Sequence, residues 1–295
     1  MNWLENAIMN DQKNASICMK EESYMTSGKC EILFSIITVC FNEEDTIRKT
    51  IESVLNQTFC NYEYIVCDGG STDGTLKIVE SYRAAFENKK IRFIVHSEKD
   101  GGIYFGMNIG VRLSNGAYLN FLNAGDQFHD DEVLSKISHC IQKDNIDILY
   151  GDIIKIERGY GKKEIGSLQT IEKGMSICHQ AMFIKSELMK EHPYNTHYKI
   201  VADYDFTLSM WKQGKRFVHI DEIVVNFRAG GVSTTQVERI TKEYCEVQEK
   251  EGIAFDYRNR FGATNKNLKH ENIKKKIPFF MWAIYNRVRG RKKYE

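Results

Sequence analysis

Three acidic segments hold the residue types that could do chemistry. Asp68-Gly-Gly-Ser-Thr-Asp-Gly-Thr75 joins a carboxylate to paired glycines. A nucleotide bound at the end of a strand needs an acceptor aimed at base or ribose, and glycines that let the ligand lie against the backbone. Ser71, Thr72 and Asp73 would equally make a plain turn and helix cap, and the octet alone leaves both readings open. Asn123-Ala-Gly-Asp126 follows the apolar run Tyr118–Leu122. A departing diphosphate carries charge that Mg²⁺ or Mn²⁺ neutralises, and these hard cations prefer carboxylate and phosphate oxygens. Asp126 is therefore a candidate metal ligand, the alternative being a turn-forming Asp after glycine. Asp203, in Ala202-Asp203-Tyr204-Asp205, opens a helical stretch. It suits either an N-cap or a general base that takes a proton from an attacking hydroxyl. Hydrolysis of a glycoside would instead ask for two carboxylates flanking one bond, and spacing does not separate the two reactions.

These segments need elements to position them. Leu33–Cys40 is a continuous apolar run of strand length, the mark of a strand buried on both faces. Asn42 offers a cap to a helix carrying Ile47, Ile51, Val54 and Leu55. Further strands are predicted at Tyr62–Cys67, Ile91–His96, Tyr118–Leu122 and Ile146–Tyr150, with a helix bearing Leu76, Val79 and Tyr82 between the first two. Strands alternating with helices imply crossover connections and a mainly parallel α/β sheet, with ligands at the carboxyl ends of the strands. Asn42, Asp68, Asp100-Gly-Gly102 and Asp126 all fall at such ends. From about residue 152 the rhythm changes: strands are expected at Ala181–Ile184 and Phe217–Ile220, and helices at Asp203–Gln213 and Gln236–Lys250.

The 295 residues suffice for one large domain with an appendage, and 42% hydrophobic with 27% charged residues is ordinary for a soluble globular chain. No apolar run approaches 18 residues, so no transmembrane helix is expected. The first 30 residues lack the pattern of a secretory signal. Eight scattered cysteines with no CxxC pair read as reduced thiols in a cytoplasmic setting. The net charge of +1 hides an asymmetry. Residues 266–295 hold ten Lys/Arg against two acids, and the rest holds 31 against 38.

Together the segments SIITVCFNEEDTIRKTIESVLNQTF, YIVCDGGSTDGT, SEKDGGIYFGMNIGV, GAYLNFLNAGDQFHDD, CHQAMF, VADYDFTLSMWKQG and FRAGGVSTT resemble the family 2 glycosyltransferases in order and spacing. The likeness covers roughly residues 33–236, and within the family it is strongest to the bacterial exopolysaccharide branch, particularly the colanic-acid-type transferases. It implies a GT-A fold, a nucleotide-diphosphate sugar donor, a divalent cation and inversion at the anomeric carbon. By position, Phe41 would pack on the base, Glu43 would lie beside the nucleotide, and Asp68 with Gly70 would meet base or ribose. Asp100 and Asn108 would line the donor pocket, Asp126 would hold the metal, and Asp203 would be the general base. His179-Gln180 would flank the sugar or diphosphate, a buried structural histidine being the alternative for His179. Gly230–Thr234 would form a loop near the donor.

The pattern also departs from the family. Gly69 stands where a second acid is usual, Asn123 and Gly125 replace the first acids of the metal motif, Phe105 replaces an Asp, and Ala202 replaces a Glu before the base. The first three suit the exopolysaccharide branch; Phe105 does not, and it leaves the donor sugar open. No QxxRW segment is present, which argues against a processive synthase. The rival enzyme class is a sugar-phosphate nucleotidyltransferase, which would carry a GxGTR-like loop where this chain reads VCFNEED. A silent nucleotide- or saccharide-binding module is the rival outside enzymes.

The expected domains are a 1–31 extension, a 32–255 transferase domain (32–127 for nucleotide, 128–255 for acceptor) and a 256–295 basic amphipathic tail. In the tail, Lys274-Lys-Lys276 and Arg287, Arg289, Arg291, Lys292 and Lys293 bracket the apolar Ile277–Tyr285. Cations around an apolar patch suit an anionic membrane surface, the alternative being a helix docked on the chain's own core. The expected partners are a nucleotide-sugar donor, a saccharide or polyprenyl-linked acceptor and the inner membrane face. Nucleic acid is not expected, because the basic cluster lies outside any recognisable binding module.

Overall fold

A computed structural model describes residues 32–99, 101–142, 145–230, 236–253, 286 and 289–294. Asp100, residues 1–31, most of the Gly230–Thr234 loop and the tail segment 254–285 lie outside the described residues.

The all-apolar run after Leu33 forms β1, Phe34–Cys40, at the centre of a sheet and buried along its whole length. It pairs in parallel with β2, Tyr62–Asp68, and with β4, Tyr118–Phe121; β2 pairs in parallel with β3, Arg92–Ser97. Burial on both faces explains why β1 reads as a continuous run, whereas β3, at the sheet edge, is only half-buried. The helices between them are α1 (Ile47–Leu55), α2 (Thr75–Ser81), α3 (Arg83–Asn88) and α4 (Ile103–Leu113). On α1 the residues Ile47, Thr50, Ile51 and Val54 face inward, the helical stripe that packs on a sheet. Gly110 on α4 allows that helix to lie against β1, because a Cβ there would come within 2.4 Å of the Ile37 side chain.

The second half extends the same sheet. β6 (Ile148–Glu157), β8 (Met182–Lys185) and β9 (Phe217–Arg228) join it, with short β5 (Gln127–Phe128) at one edge and β7 (Tyr160–Glu164) paired on β6. The order is β3-β2-β1-β4-β8-β6-β9-β5. Pairing is parallel from β3 to β4 and mostly antiparallel beyond, only β6 with β9 being parallel there. The expected mainly parallel sheet therefore describes the first half, and the whole is a mixed sheet. Helices α5 (Val133–Ile141), α6 (Ser186–Glu191), α7 (Ala202–Lys212) and α8 (Val237–Lys250) complete the domain.

One local expectation is corrected. Asn42 does not cap α1, whose preceding residue is Thr46. Asn42 sits at φ 54°, and its side-chain oxygen accepts from the Thr72 amide at 2.9 Å. Asn and Asp tolerate this left-handed region better than other residues with a Cβ, so the residue ties two loops together at the sheet's carboxyl edge. Of the basic tail, residues 291–294 are docked on the protein: Gly161 donates to the Lys292 carbonyl at 3.0 Å, and Tyr294 to that of Gly159 at 2.7 Å. No helix among the described residues is long and apolar enough to cross a membrane.

Candidate active site

The β2 terminus delivers Asp68 into the turn before α2. Its side chain is buried and saturated with donors. Oδ2 accepts from the Gly70 amide (3.2 Å), the Ser71 amide (3.0 Å) and the Ser97 hydroxyl (2.7 Å); Oδ1 accepts from the Ser71 hydroxyl. Partial burial works to raise the Asp68 pKa, but these bonds outweigh it and hold the carboxyl below the usual carboxylate range. Gly70 takes φ +82°, and a Cβ there would press to 3.2 Å on the Lys99 backbone. Phe41, beside this turn, is 58% exposed. Glu43 accepts from Thr46 and donates its amide to the Thr75 hydroxyl at 2.8 Å. Asn108 is bonded in both directions to the Tyr194 peptide, at 2.8 and 3.0 Å, so it braces the segment before α7.

A second cluster is built around the dipeptide His179-Gln180, in a single 3-10 turn entering β8. Gln180 donates to Asp126 Oδ2 at 2.8 Å, and the Arg228 amide donates to Oδ1 at 2.8 Å. Its neighbour His179 places Nδ1 2.8 Å from Asp203 Oδ2. The Asn123 side-chain nitrogen lies 3.1 Å from His179 Nε2. With that amide donating to Nε2, the ring proton sits on Nδ1 and points to Asp203. Asp203 Oδ1 accepts from the Tyr204 amide (2.9 Å) and shares the Tyr104 hydroxyl (2.9 Å) with the Ile200 carbonyl (2.7 Å). Asp203 lies within the first turn of α7, whose preceding residue is Val201; its partners are His179 and Tyr104, so it does more than cap a helix. Two adjacent residues thus tie together two acids 77 positions apart in sequence.

The electrostatics differ sharply from those of the Asp68 turn. Burial pushes the Asp126 carboxyl up to about 7, against the pull of the Arg228 amide, the Gln180 side chain, His179 and the Arg228 charge. An anion there is short of compensating charge. Asn123 Oδ1, in the same turn, is buried without a hydrogen-bond partner. Both are hard oxygen donors. Among the described residues no group of three or more His, Cys, Asp or Glu forms a metal cage. The donor set therefore fits a divalent cation shared with substrate phosphates, the usual manner for Mg²⁺, and does not fit an all-protein site.

The family model for glycosyl transferase family 2 matches residues 35–203, which spans every acid described above. The chain belongs to glycosyl transferase family 2. It is 32% identical over 213 residues to a PGL/p-HBAD biosynthesis glycosyltransferase of Mycobacterium bovis, covering 70% of this chain and 81% of that one. It is 28% identical over 263 residues to the chondroitin synthase of Escherichia coli, covering 87% of this chain and 35% of the relative. Among solved structures it is similar to S. aureus TarS 1–349 in complex with UDP (TM-score 0.59, 21% identity, 77% of this chain and 68% of that one). It is also similar to the mannosyltransferase PcManGT of Pyrobaculum calidifontis, solved with GDP-Man and Mn²⁺ (TM-score 0.59, 13% identity, 89% and 79%). These likenesses show the GT-A-like α/β fold. The chain is a glycosyltransferase, and the relatives' names differ enough that they reach the family and not the exopolysaccharide branch.

Reading the family 2 chain from its residues alone missed Tyr104 and the Arg228 amide. Tyr104 had only its place beside Phe105 to commend it, and a backbone donor has no sequence signal.

Proposed function

We propose that this glycosyltransferase moves a sugar, with inversion, from a nucleotide-diphosphate donor to a hydroxyl of a lipid-linked saccharide acceptor, in exopolysaccharide or capsule assembly. The observation that carries the reading is the pair of acids joined through His179-Gln180. In this reading the pair forms a transfer end, Asp126 in the turn after β4 on the donor side and Asp203 on α7 on the acceptor side, while the Asp68 turn forms a nucleoside end. The acceptor oxygen attacks the anomeric carbon, the bond from that carbon to the diphosphate oxygen breaks, and Asp203 receives the hydroxyl proton. His179 and Tyr104 orient the carboxylate for that transfer by binding one oxygen each. Asp126 and Asn123 Oδ1 are the residues that would hold Mg²⁺ or Mn²⁺, whose chemistry there is neutralisation of the departing diphosphate.

Donor binding falls to the other end. Phe41 offers an exposed ring for the base, Asp68 and Gly70 fix the turn beneath the nucleoside, and Glu43 lies alongside. Asp100 and Asn108 complete the proposed donor pocket. The test is purified protein with a nucleotide-sugar panel, Mn²⁺ and a lipid-linked acceptor, with nucleotide release and product measured together. Release of nucleotide without glycosylated product, or no turnover at all, overturns the reading.

The proposed place of work is the cytoplasmic face of the inner membrane, reached through the basic tail. Replacing Lys274, Lys275 and Lys276 with Glu should lower binding to anionic vesicles, since each cation near such a surface contributes about 1 kcal/mol. Unchanged vesicle binding ends this part.

A further inference from the structure

Beside the transfer end lies a cleft of about 250 Å³ that the chemistry described so far does not use. It is walled by β6, the end of β7, the stretch leading to His179, and the end of β9. Two of its lining residues fix its position. Cys178 immediately precedes His179, and Phe227 immediately precedes Arg228, whose amide binds Asp126. The Cys178 thiol also donates to Gln180 Oε1 at 2.9 Å, and Gln180 in turn binds Asp126. The cleft therefore borders the Gln180 contact to Asp126.

Its lining says what it takes. Ile153, Ile165, Met175, Ile177 and Phe227 supply its apolar side chains, beside Glu164, Ser176 and Cys178. The polar groups among them have internal partners. The Ser176 hydroxyl donates to the Ser167 carbonyl, and the Gly166 amide to Asp152 at 3.3 Å. The Met175 amide donates to the Tyr244 hydroxyl oxygen at 3.3 Å, and the Glu164 carboxylate lies 3.8 Å from the Lys155 ammonium. A sugar ring would bring several hydroxyls that need partners, and a buried polar group left unpaired is costly. An apolar ring brings none. Pockets for drug-sized ligands span roughly 300–1,000 Å³, so this smaller cleft holds one ring and not an extended chain.

We infer that the cleft is an acceptor subsite for an apolar, ring-sized aglycone, held beside the hydroxyl that is glycosylated. This rests on the transferase reading above, and it adds the chemical class of the acceptor. Ile165, 67% exposed at the mouth, can be changed without disturbing the core.

The experiment compares phenyl and methyl glycosides of the same sugars as acceptors. Wild type should show a KM at least about tenfold lower for the phenyl member, the difference coming from the apolar area it buries. Ile165→Asp and Met175→Gln should erase that preference, leaving the KM for methyl glycosides and the thermal shift with nucleotide diphosphate unchanged. Equal KM values in wild type, or a preference that survives both substitutions, overturns the inference. Calorimetric titration of the phenyl glycosides into the protein without donor separates the two readings. Binding lost in Ile165→Asp, with no transfer from any donor, keeps the subsite and sinks the transferase reading. Transfer with no phenyl-dependent binding or preference does the reverse.

Discussion

The two ends of the site are both acidic, yet they are built on opposite principles. At the nucleoside end Asp68 receives four donors from Gly70, Ser71 and Ser97, and its carboxyl is held low. At the transfer end Asp126 is buried with its carboxyl raised to about 7, next to an unpartnered Asn123 oxygen. One end is complete without ligand and serves as a fixed platform. The other is electrostatically incomplete, so it gains most from a cation or a charged substrate. Buried, perturbed acids of this kind mark functional sites more often than saturated ones.

The largest expected effect lies at the transfer end. Asp203→Asn should lower kcat by roughly 10²–10⁴-fold, the usual scale for a general base, while the thermal shift with nucleotide diphosphate stays within error. Substantial activity in this variant would remove Asp203 from the base role.

Asp126→Asn should abolish the extra stabilisation that Mn²⁺ adds to nucleotide diphosphate in a melting experiment. Without ligand its effect has the opposite sign. A carboxyl raised in the folded state contributes stability that is full below the unfolded value near 3.8 and is lost as pH rises through about 7. The ligand-free Asn variant should therefore melt higher than wild type at pH 8 and converge with it toward pH 4. An identical difference at both pH values would refute the charge deficit at this end.

Smaller is Tyr104→Phe, which removes one of the groups on Asp203 Oδ1 and leaves the Tyr204 amide in place. We expect about a tenfold fall in kcat with little change in either KM, since a single oriented hydrogen bond contributes on the order of 1–2 kcal/mol. A KM effect alone would make the tyrosine a packing residue, as its contact with the Tyr194 ring allows.

The smallest effect tests the platform. Ser97→Ala deletes one of the donors on Asp68 and should cost about 1 kcal/mol of stability at neutral pH. Because the Asp68 carboxyl is depressed on folding, that contribution is present above the unfolded value and fades as pH falls toward the folded one. Urea titrations at pH 7 and pH 3 should show the gap between wild type and variant closing in acid. A gap that widened would contradict the assignment.

The first half of the fold was legible because its strands are buried on both faces and so appear as unbroken apolar runs, as in FSIITVC and YEYIVCD. The second half was less so. β9 runs from Phe217 to Arg228, well beyond the expected Ile220, because the charged pair Asp221-Glu222 breaks the apolar pattern before the buried Val224 and Val225. β5, two residues long, and β7, with paired lysines, have too little pattern to announce themselves. Asn108 and Asp68 were expected to face the donor; the structure shows which protein groups they already bind.

The order of its motifs determined the family and the GT-A plan, and the apolar runs determined where the acids emerge at strand ends. Asp203, Asp126 and His179 could each be named from the chain, but none could be told from a cap, a turn or a buried histidine by local spacing. Their partnership was decided only in three dimensions. The 3-10 turn at His179 sets consecutive side chains toward different acids, and the partner atoms come from the turn after β4, from α4, α7 and β9. The carboxyl shift at Asp126 belongs to the same class, since desolvation is a property of the packed surroundings and not of the residue that suffers it.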